Sequence, residues 1–257
     1  MAARSVLVSI AVLVICSCYG CSGGRGTEGQ PGATQGEPNG ARTSPGPVGK
    51  ANKLALLVGI NNYKAINGLS GCVADVRNMQ GLLRGKFDFP DDSIRVLTDE
   101  QATHAAIVQA FKDHLIGRAA DNAVVVFHYS GHGSRMKDPT GKSPSGEIST
   151  IVPHDSRTEG VYDISADELR GLFSLLAEKT KNVTFIFDSC HSGMALKDVA
   201  TARARVIAPD PRDPPPPPPE ALLAPRGIGD ASDGLKSRGY ALLSACRADE
   251  VAFEYAD

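Results

Sequence analysis

The sequence predicts one open α/β sandwich over residues 53–257, a mostly parallel sheet with helices on both faces. Three observations carry this expectation. Short apolar runs recur without polar alternation, as strands buried on both faces require. Segments with apolar residues every three or four positions separate them. The two kinds alternate along the chain, the signature of layered α/β packing.

Leu54-Ala55-Leu56-Leu57-Val58-Gly59-Ile60 is the first strand, ending before a polar loop. Asp75 to Arg84 has helical spacing through Val76, Met79, Leu82 and Leu83. Ile94-Arg95-Val96-Leu97 is a second strand. Thr103 opens a helix to about Arg118, with Ala106, Ile107, Ala110, Phe111 and Leu115 on one side. Ala123 to Phe127 is a third strand. Ser165 is a good N-cap and Glu168 completes a capping box for a helix through Leu169, Leu172, Phe173 and Leu176. Val183 to Phe187 and Tyr240 to Ser244 are the fourth and fifth strands. Right-handed crossovers put helices on both faces, and ligands bind beyond the carboxyl ends of such strands.

Between Met194 and Gly239 the pattern fails. Pro214 to Pro219 is a hexaproline run, flanked by Lys197, Arg203, Arg205, Arg212, Arg226, Lys236 and Arg238. Residues 194–239 therefore read as a long, exposed, flexible connection.

Residues 1–21 read as an export signal. Arg4 supplies the positive end, and Val6 to Cys16 is an apolar run too short for a stable bilayer span. Ile15-Cys16-Ser17-Cys18 resembles a bacterial lipobox, with Cys18 or Cys21 as the lipidated residue. An ordinary secretory signal cut near Gly20 and an uncleaved short anchor remain as alternatives. Residues 22–52 are Gly-, Pro-, Ser- and Thr-rich with almost no large apolar side chains, and read as a disordered tether. The chain is expected to be exported, periplasmic or at the cell surface, and lipid-anchored.

Composition excludes some functions. A net charge of -2 offers no polyanion-binding surface, so no nucleic-acid partner is expected. The six cysteines are too scattered for a disulfide framework, although a single bridge stays open. Cys72 and Cys246 are expected to pack in the core.

Two segments share a layout. The third strand runs into Phe127-His128-Tyr129-Ser130-Gly131-His132-Gly133. The fourth runs into Phe187-Asp188-Ser189-Cys190-His191-Ser192-Gly193. Each is an apolar strand ending in a glycine-containing turn with a reactive side chain. If one helix crosses between adjacent parallel strands, His132 and Cys190 face each other across one strand spacing of about 4.8 Å. A thiolate there attacks a carbonyl carbon while the imidazole manages the proton. The Gly133 and Cys190 amides are placed to hold the oxyanion. The chemical step requires no metal.

Blander readings stand beside these. Cys190 could be a buried thiol and His132 a satisfied loop histidine. His128 lies on the strand and reads as packing or hydrogen bonding. His191 directly follows the nucleophile and points elsewhere. Cys190, His191 and His132 lack a fourth zinc ligand at standard spacing. Asp188 could cap local amides, and Asp75 could serve only the helix dipole.

Tyr129-Ser130-Gly131-His132-Gly133 followed by Asp188-Ser189-Cys190-His191-Ser192-Gly193 resembles the paired motifs of metacaspases, within the caspase-like cysteine peptidases. Leu56-Leu57-Val58-Gly59-Ile60, Ile151-Val152-Pro153-His154-Asp155 and Leu243-Ser244-Ala245-Cys246 extend the likeness. The resemblance implies a caspase-like three-layer sandwich. It also implies a further helix, a sixth strand and a last helix after the fifth strand, so a C-terminally truncated domain is expected. Cleavage after Arg or Lys is implied, with Asp75 and Asp188 as the acidic S1 pocket and Ser130 beside them. Peptide or protein substrates with a basic P1 residue, a monomeric state and calcium as an activator are implied as well. Only Glu147 precedes the Val-Pro segment where the family carries several acids, which leaves Asp155 and Asp163 as calcium ligands. If the enzyme cuts after Arg, its own connection offers Arg203, Arg205, Arg226 and Arg238 as processing sites. Two rivals are a catalytically silent binding module and a thiol hydrolase with another P1 preference.

Overall fold

The computed structural model describes residues 52–141, 143–189, 202–219, 240–244 and 253–255. Five strands form a parallel sheet in the order β2-β1-β3-β7-β9: β1 Lys53–Gly59, β2 Ile94–Thr98, β3 Val124–Ser130, β7 Asn182–Asp188 and β9 Tyr240–Ser244. Each matches an expected strand to within three residues. Helix α1 spans Cys72–Phe87, α2 His104–Ala110 and α3 Ala166–Ala177.

The two faces of the sheet are covered by different helices. On one face Leu54, Leu56, Val58, Val125, Phe127 and Phe185 pack against Ile107, Leu169, Leu172 and Leu176 of α2 and α3. Phe173 stacks on Phe185 with ring centroids 3.7 Å apart. On the other face Ala55, Leu57, Val126 and Ile186 meet Val76 and Leu83 of α1. Burying each such large side chain contributes about 1.5–3 kcal/mol, so both layers are needed to hold the sheet.

Helix ends explain where the boundaries fall. α1 starts three residues before Asp75. Gly71 offers no side-chain cap, but Asn61 Oδ1 accepts from the amides of Cys72 (2.9 Å) and Val73 (3.3 Å). A cap supplied from eleven residues upstream leaves no local sequence signal. Gly59 lets α1 approach β1: a Cβ there would lie 2.6 Å from Val76 Cγ2 and 2.7 Å from the Cys72 carbonyl oxygen. Cys72 is buried. Thr103 caps α2, accepting from the Ala106 amide. The helix then widens into a π-helical turn, Phe111–Ile116, closed by the Gly117 amide on the Lys112 carbonyl. Ser165 Oγ accepts from the Glu168 amide as expected. The Glu168 carboxylate turns away to His104, so only half of the capping box carries over.

The sequence reading missed an antiparallel sheet of β4 Gly133–Lys137, β5 Glu147–Ile151 and β6 Ile164–Ser165. It also missed a pair formed by β8 Ala202–Ala204 and β10 Phe253–Tyr255. The reading of 194–239 as an exposed connection does not hold at Arg205 and Asp210, although Ala208, Pro209, Pro211 and Asp213 are exposed. Arg205 is 5% exposed and Asp210 2%. Ion pairs and backbone bonds to β4 hold this stretch down, and none of them is visible as apolar periodicity.

Candidate active site

β3 and β7 are adjacent and parallel, with Ser130 in register with Asp188. Their carboxyl ends therefore lie at one sheet edge, as the α3 crossover requires. The turn after β3 carries His132; Cys190, two positions past β7, lies outside the described residues, as does His191.

His132 is 4% exposed and tied at several points. Its amide donates to Tyr63 Oη at 2.8 Å, and its carbonyl accepts from Tyr129 Oη at 2.7 Å. Nε2 is 3.0 Å from the Asn67 carbonyl oxygen. A carbonyl only accepts, so Nε2 carries a proton, and in the neutral ring the lone pair is on Nδ1. Gly131 is required between them, because a Cβ there would fall 2.6 Å from Tyr129 Oη and 2.8 Å from Tyr63 Oη. Burial pushes the Tyr63 phenol well above its usual pKa, so it stays neutral and keeps its hydroxyl. Tyr63 and Asn67 were not singled out from sequence. Asn67 acts through its backbone, which no residue type announces.

His128 reads as packing. Its ring nitrogens make no hydrogen bond among the described residues, and burial lowers its pKa to about 4.

Asp75, Ser130 and Asp188 converge on one guanidinium, that of Arg205. Nη2 donates to Asp75 Oδ2 at 2.7 Å, and Nη1 reaches Ser130 Oγ at 3.0 Å and Asp188 Oδ2 at 2.5 Å. Ser130 Oγ also donates to Asp75 Oδ2 at 3.0 Å. Burial raises the Asp188 carboxyl above its ordinary pKa; Arg205 pulls it back and Asp75 pushes it up again. Buried Asp188 and part-exposed Asp75, this close together, are stabilised by a cation between them.

The Arg205 backbone is held as well. Its carbonyl oxygen accepts from the Gly133 amide at 2.9 Å, and the Ile207 amide donates to the Gly133 carbonyl at 3.1 Å. The same glycine therefore brackets Val206, bonding the carbonyl before it and the amide after it.

Asp155 and Asp163 do not fit a calcium ion. Asp163 is buried and saturated: it accepts from Thr150 Oγ1 (2.9 Å), Ser156 Oγ and Arg157 Nη2 (3.0 Å). Asp155 Oδ1 accepts from the His104 amide at 2.8 Å. Calcium takes six to eight oxygens. Among the described residues no three acidic, His or Cys side chains cluster for a metal. The basic partner Arg157, unremarked in the sequence, takes the place of the cation.

Of the other expected sites, Arg203 lies in β8, in register with Glu254 of β10. Cys18, Cys21, Arg226 and Arg238 lie outside the described residues, as do the export signal and most of the tether.

Comparison with known proteins follows the same lines. The family model for the metacaspase, peptidase C14 domain matches residues 53–199. Metacaspase-1 of Meyerozyma guilliermondii is 38% identical over 150 residues, covering 56% of this chain and 36% of that protein. Metacaspase-1 of Mycosarcoma maydis is 38% identical over 152 residues, 57% of this chain and 37% of that protein. The chain thus spans little more than a third of the length of these relatives. The crystal structure of protein GSU0716 from Geobacter sulfurreducens superposes with a TM-score of 0.53 at 20% identity, over 78% of this chain and 75% of that one, a likeness of fold. With a caspase-like α/β sandwich, two motif-bearing strand ends at one edge and a family match over most of the sheet, the chain belongs to the metacaspase family.

Proposed function

We propose that this chain is a cysteine endopeptidase that cleaves after Arg or Lys through a Cys190–His132 dyad, and that it cuts its own chain between Arg205 and Val206. The observation that carries this reading is the posture of Arg205, whose side chain meets Asp75 and Asp188 while its carbonyl meets the Gly133 amide. An anionic pocket for the side chain and an oxyanion donor for the carbonyl, both met by one residue, are the two halves of a P1 site.

The chemistry needs no metal step. The Cys190 sulfur forms a bond to the Arg205 carbonyl carbon, and His132 Nδ1 receives the thiol proton. The carbonyl oxygen gathers charge against the Gly133 and Cys190 amides. Collapse breaks the C–N bond, and the imidazolium gives its proton to the leaving Val206 amine. Water, deprotonated by His132, then hydrolyses the thioester and restores the thiol. Peptides or proteins with a basic P1 residue follow as substrates. Export, a lipid anchor at Cys18 or Cys21, a periplasmic or cell-surface location and a monomeric state complete the proposal.

A panel of fluorogenic peptides differing only at P1, run with wild type and Cys190→Ala, tests it. Turnover of Arg and Lys substrates by wild type alone is expected. Turnover of neutral or acidic P1 instead would make this a thiol hydrolase of another preference. None at all, with folding intact, would leave a binding module.

A further inference from the structure

Residues 206–213 remain folded onto the protein by contacts that all lie downstream of the Arg205–Val206 bond. The Ile207 amide donates to the Gly133 carbonyl, and Ser134 Oγ reaches the carbonyls of Ile207 (3.2 Å) and Ala208 (3.0 Å). The Asp210 amide donates to the Arg135 carbonyl at 2.9 Å. Bridges of Val206 to Gly133 and Asp210 to Met136 run parallel, so this stretch lies along the free edge of β4.

An ionic anchor fastens the far end. Asp210 is 2% exposed and accepts from Arg212 Nη2 at 2.7 Å, with Arg157 Nε at 3.6 Å. Arg212 donates onward to the carbonyls of Thr158 (2.7 Å) and Val161 (2.8 Å) and lies over the Tyr162 ring at 4.4 Å. Arg157 Nη1 donates to the Ala208 carbonyl at 3.0 Å. None of these bonds involves an atom that cleavage after Arg205 would displace. A surface loop tied down only to complete the fold would also make such contacts. This one, however, covers the edge that any peptide held like Arg205 must use for the residues after its own cleaved bond.

We infer that residues 206–213 are a strap that stays on the leaving-group side of the cleft after the cut and directs the processed enzyme to substrates with few residues beyond the basic one. This rests on the cleavage reading above. The cut frees the pocket of Arg205 and leaves the β4 edge occupied. A substrate ending in a small leaving group then enters unopposed, and an extended one must displace the strap.

Two substrates test this on the cut, full-length protein: an arginyl coumarin amide, and a quenched peptide with the same residues up to Arg followed by eight more. Asp210→Ala removes the anchor. The expected result is a rise of about tenfold in kcat/KM for the extended peptide and no change for the coumarin amide. Equal changes for both, or none for either, overturn the strap. Amide exchange gives a second measurement. Ile207 and Asp210 amides should be protected in uncut Cys190→Ala and in cut wild type, and exposed in Asp210→Ala. Loss of protection on cutting, or protection unchanged by Asp210→Ala, overturns it. A wild type that neither cuts itself nor turns over either substrate defeats the cleavage reading, and exchange in the uncut chain still judges the anchor.

Discussion

The Arg205 carbonyl oxygen sits 2.9 Å from the Gly133 amide, on the same residue whose guanidinium bridges Asp75 and Asp188. Side chain and backbone of one residue thus meet a carboxylate pocket and a backbone donor about one residue apart. His132 is the neighbour of that donor, with Nε2 protonated against Asn67. The arrangement links charge recognition to the peptide bond that would be attacked.

Removing one acid of the pocket should separate binding from folding. Asp188→Ala is expected to lower kcat/KM for Arg substrates by roughly ten- to a hundredfold, the size of a charge-assisted hydrogen bond, and to leave neutral P1 substrates little changed. In uncut protein the guanidinium keeps Asp75 and Ser130, so the same change should cost only about 1–3 kcal/mol, the size of one charged hydrogen bond. Peptide kinetics on the active enzyme and urea unfolding on a Cys190→Ala background read the two effects.

Tyr63 is expected to act as a positioning residue for His132. Tyr63→Phe leaves the buried His132 amide without its acceptor, at a cost of about 1–3 kcal/mol. Steady-state kinetics should show kcat lowered about tenfold with KM nearly unchanged. A change confined to KM would contradict this role.

His104 carries a pH signature. Burial alone would lower its pKa, but the hydrogen bond and charge of Glu168, with the Tyr162 carbonyl on Nδ1, raise it above 6.5. A raised folded-state value stabilises the protein below the unfolded pKa, and that contribution is lost as pH rises through the folded one. Thermal melts should show stability falling above about pH 6.5 by more in wild type than in His104→Gln. Parallel curves would contradict the assignment.

Asp163 should behave as an ion-pair partner of Arg157, whatever the calcium concentration. Asp163→Ala is expected to cost about 3–5 kcal/mol, equally with calcium and with a chelator. Calcium-dependent stabilisation of wild type that the variant loses would show the carboxylate to be a metal ligand instead.

The sheet was legible because parallel strands need apolar runs; Leu54–Val58 and Val125–Phe127 are continuous ones, and Val183–Phe187 is broken only by Thr184. The grouping of Asp75, Ser130 and Asp188 came from the family resemblance, not from spacing. The rest is tertiary. Asn61 caps α1 from across a loop, Asn67 acts through a carbonyl, and β4 to β6 are short and partly polar. Arg205 and Asp210 looked like residues of a solvated linker because charge reads as exposure until a buried partner of opposite sign is in place. Asp163 looked like a metal ligand for the same reason, its cation being Arg157.

The most direct measurement is N-terminal sequencing and intact mass of wild type beside Cys190→Ala. A new chain beginning at Val206 in wild type alone is the result expected from the geometry at Gly133. A cut that persists in Cys190→Ala, or one that leaves the Arg205–Val206 bond whole while other bonds are broken, would contradict it.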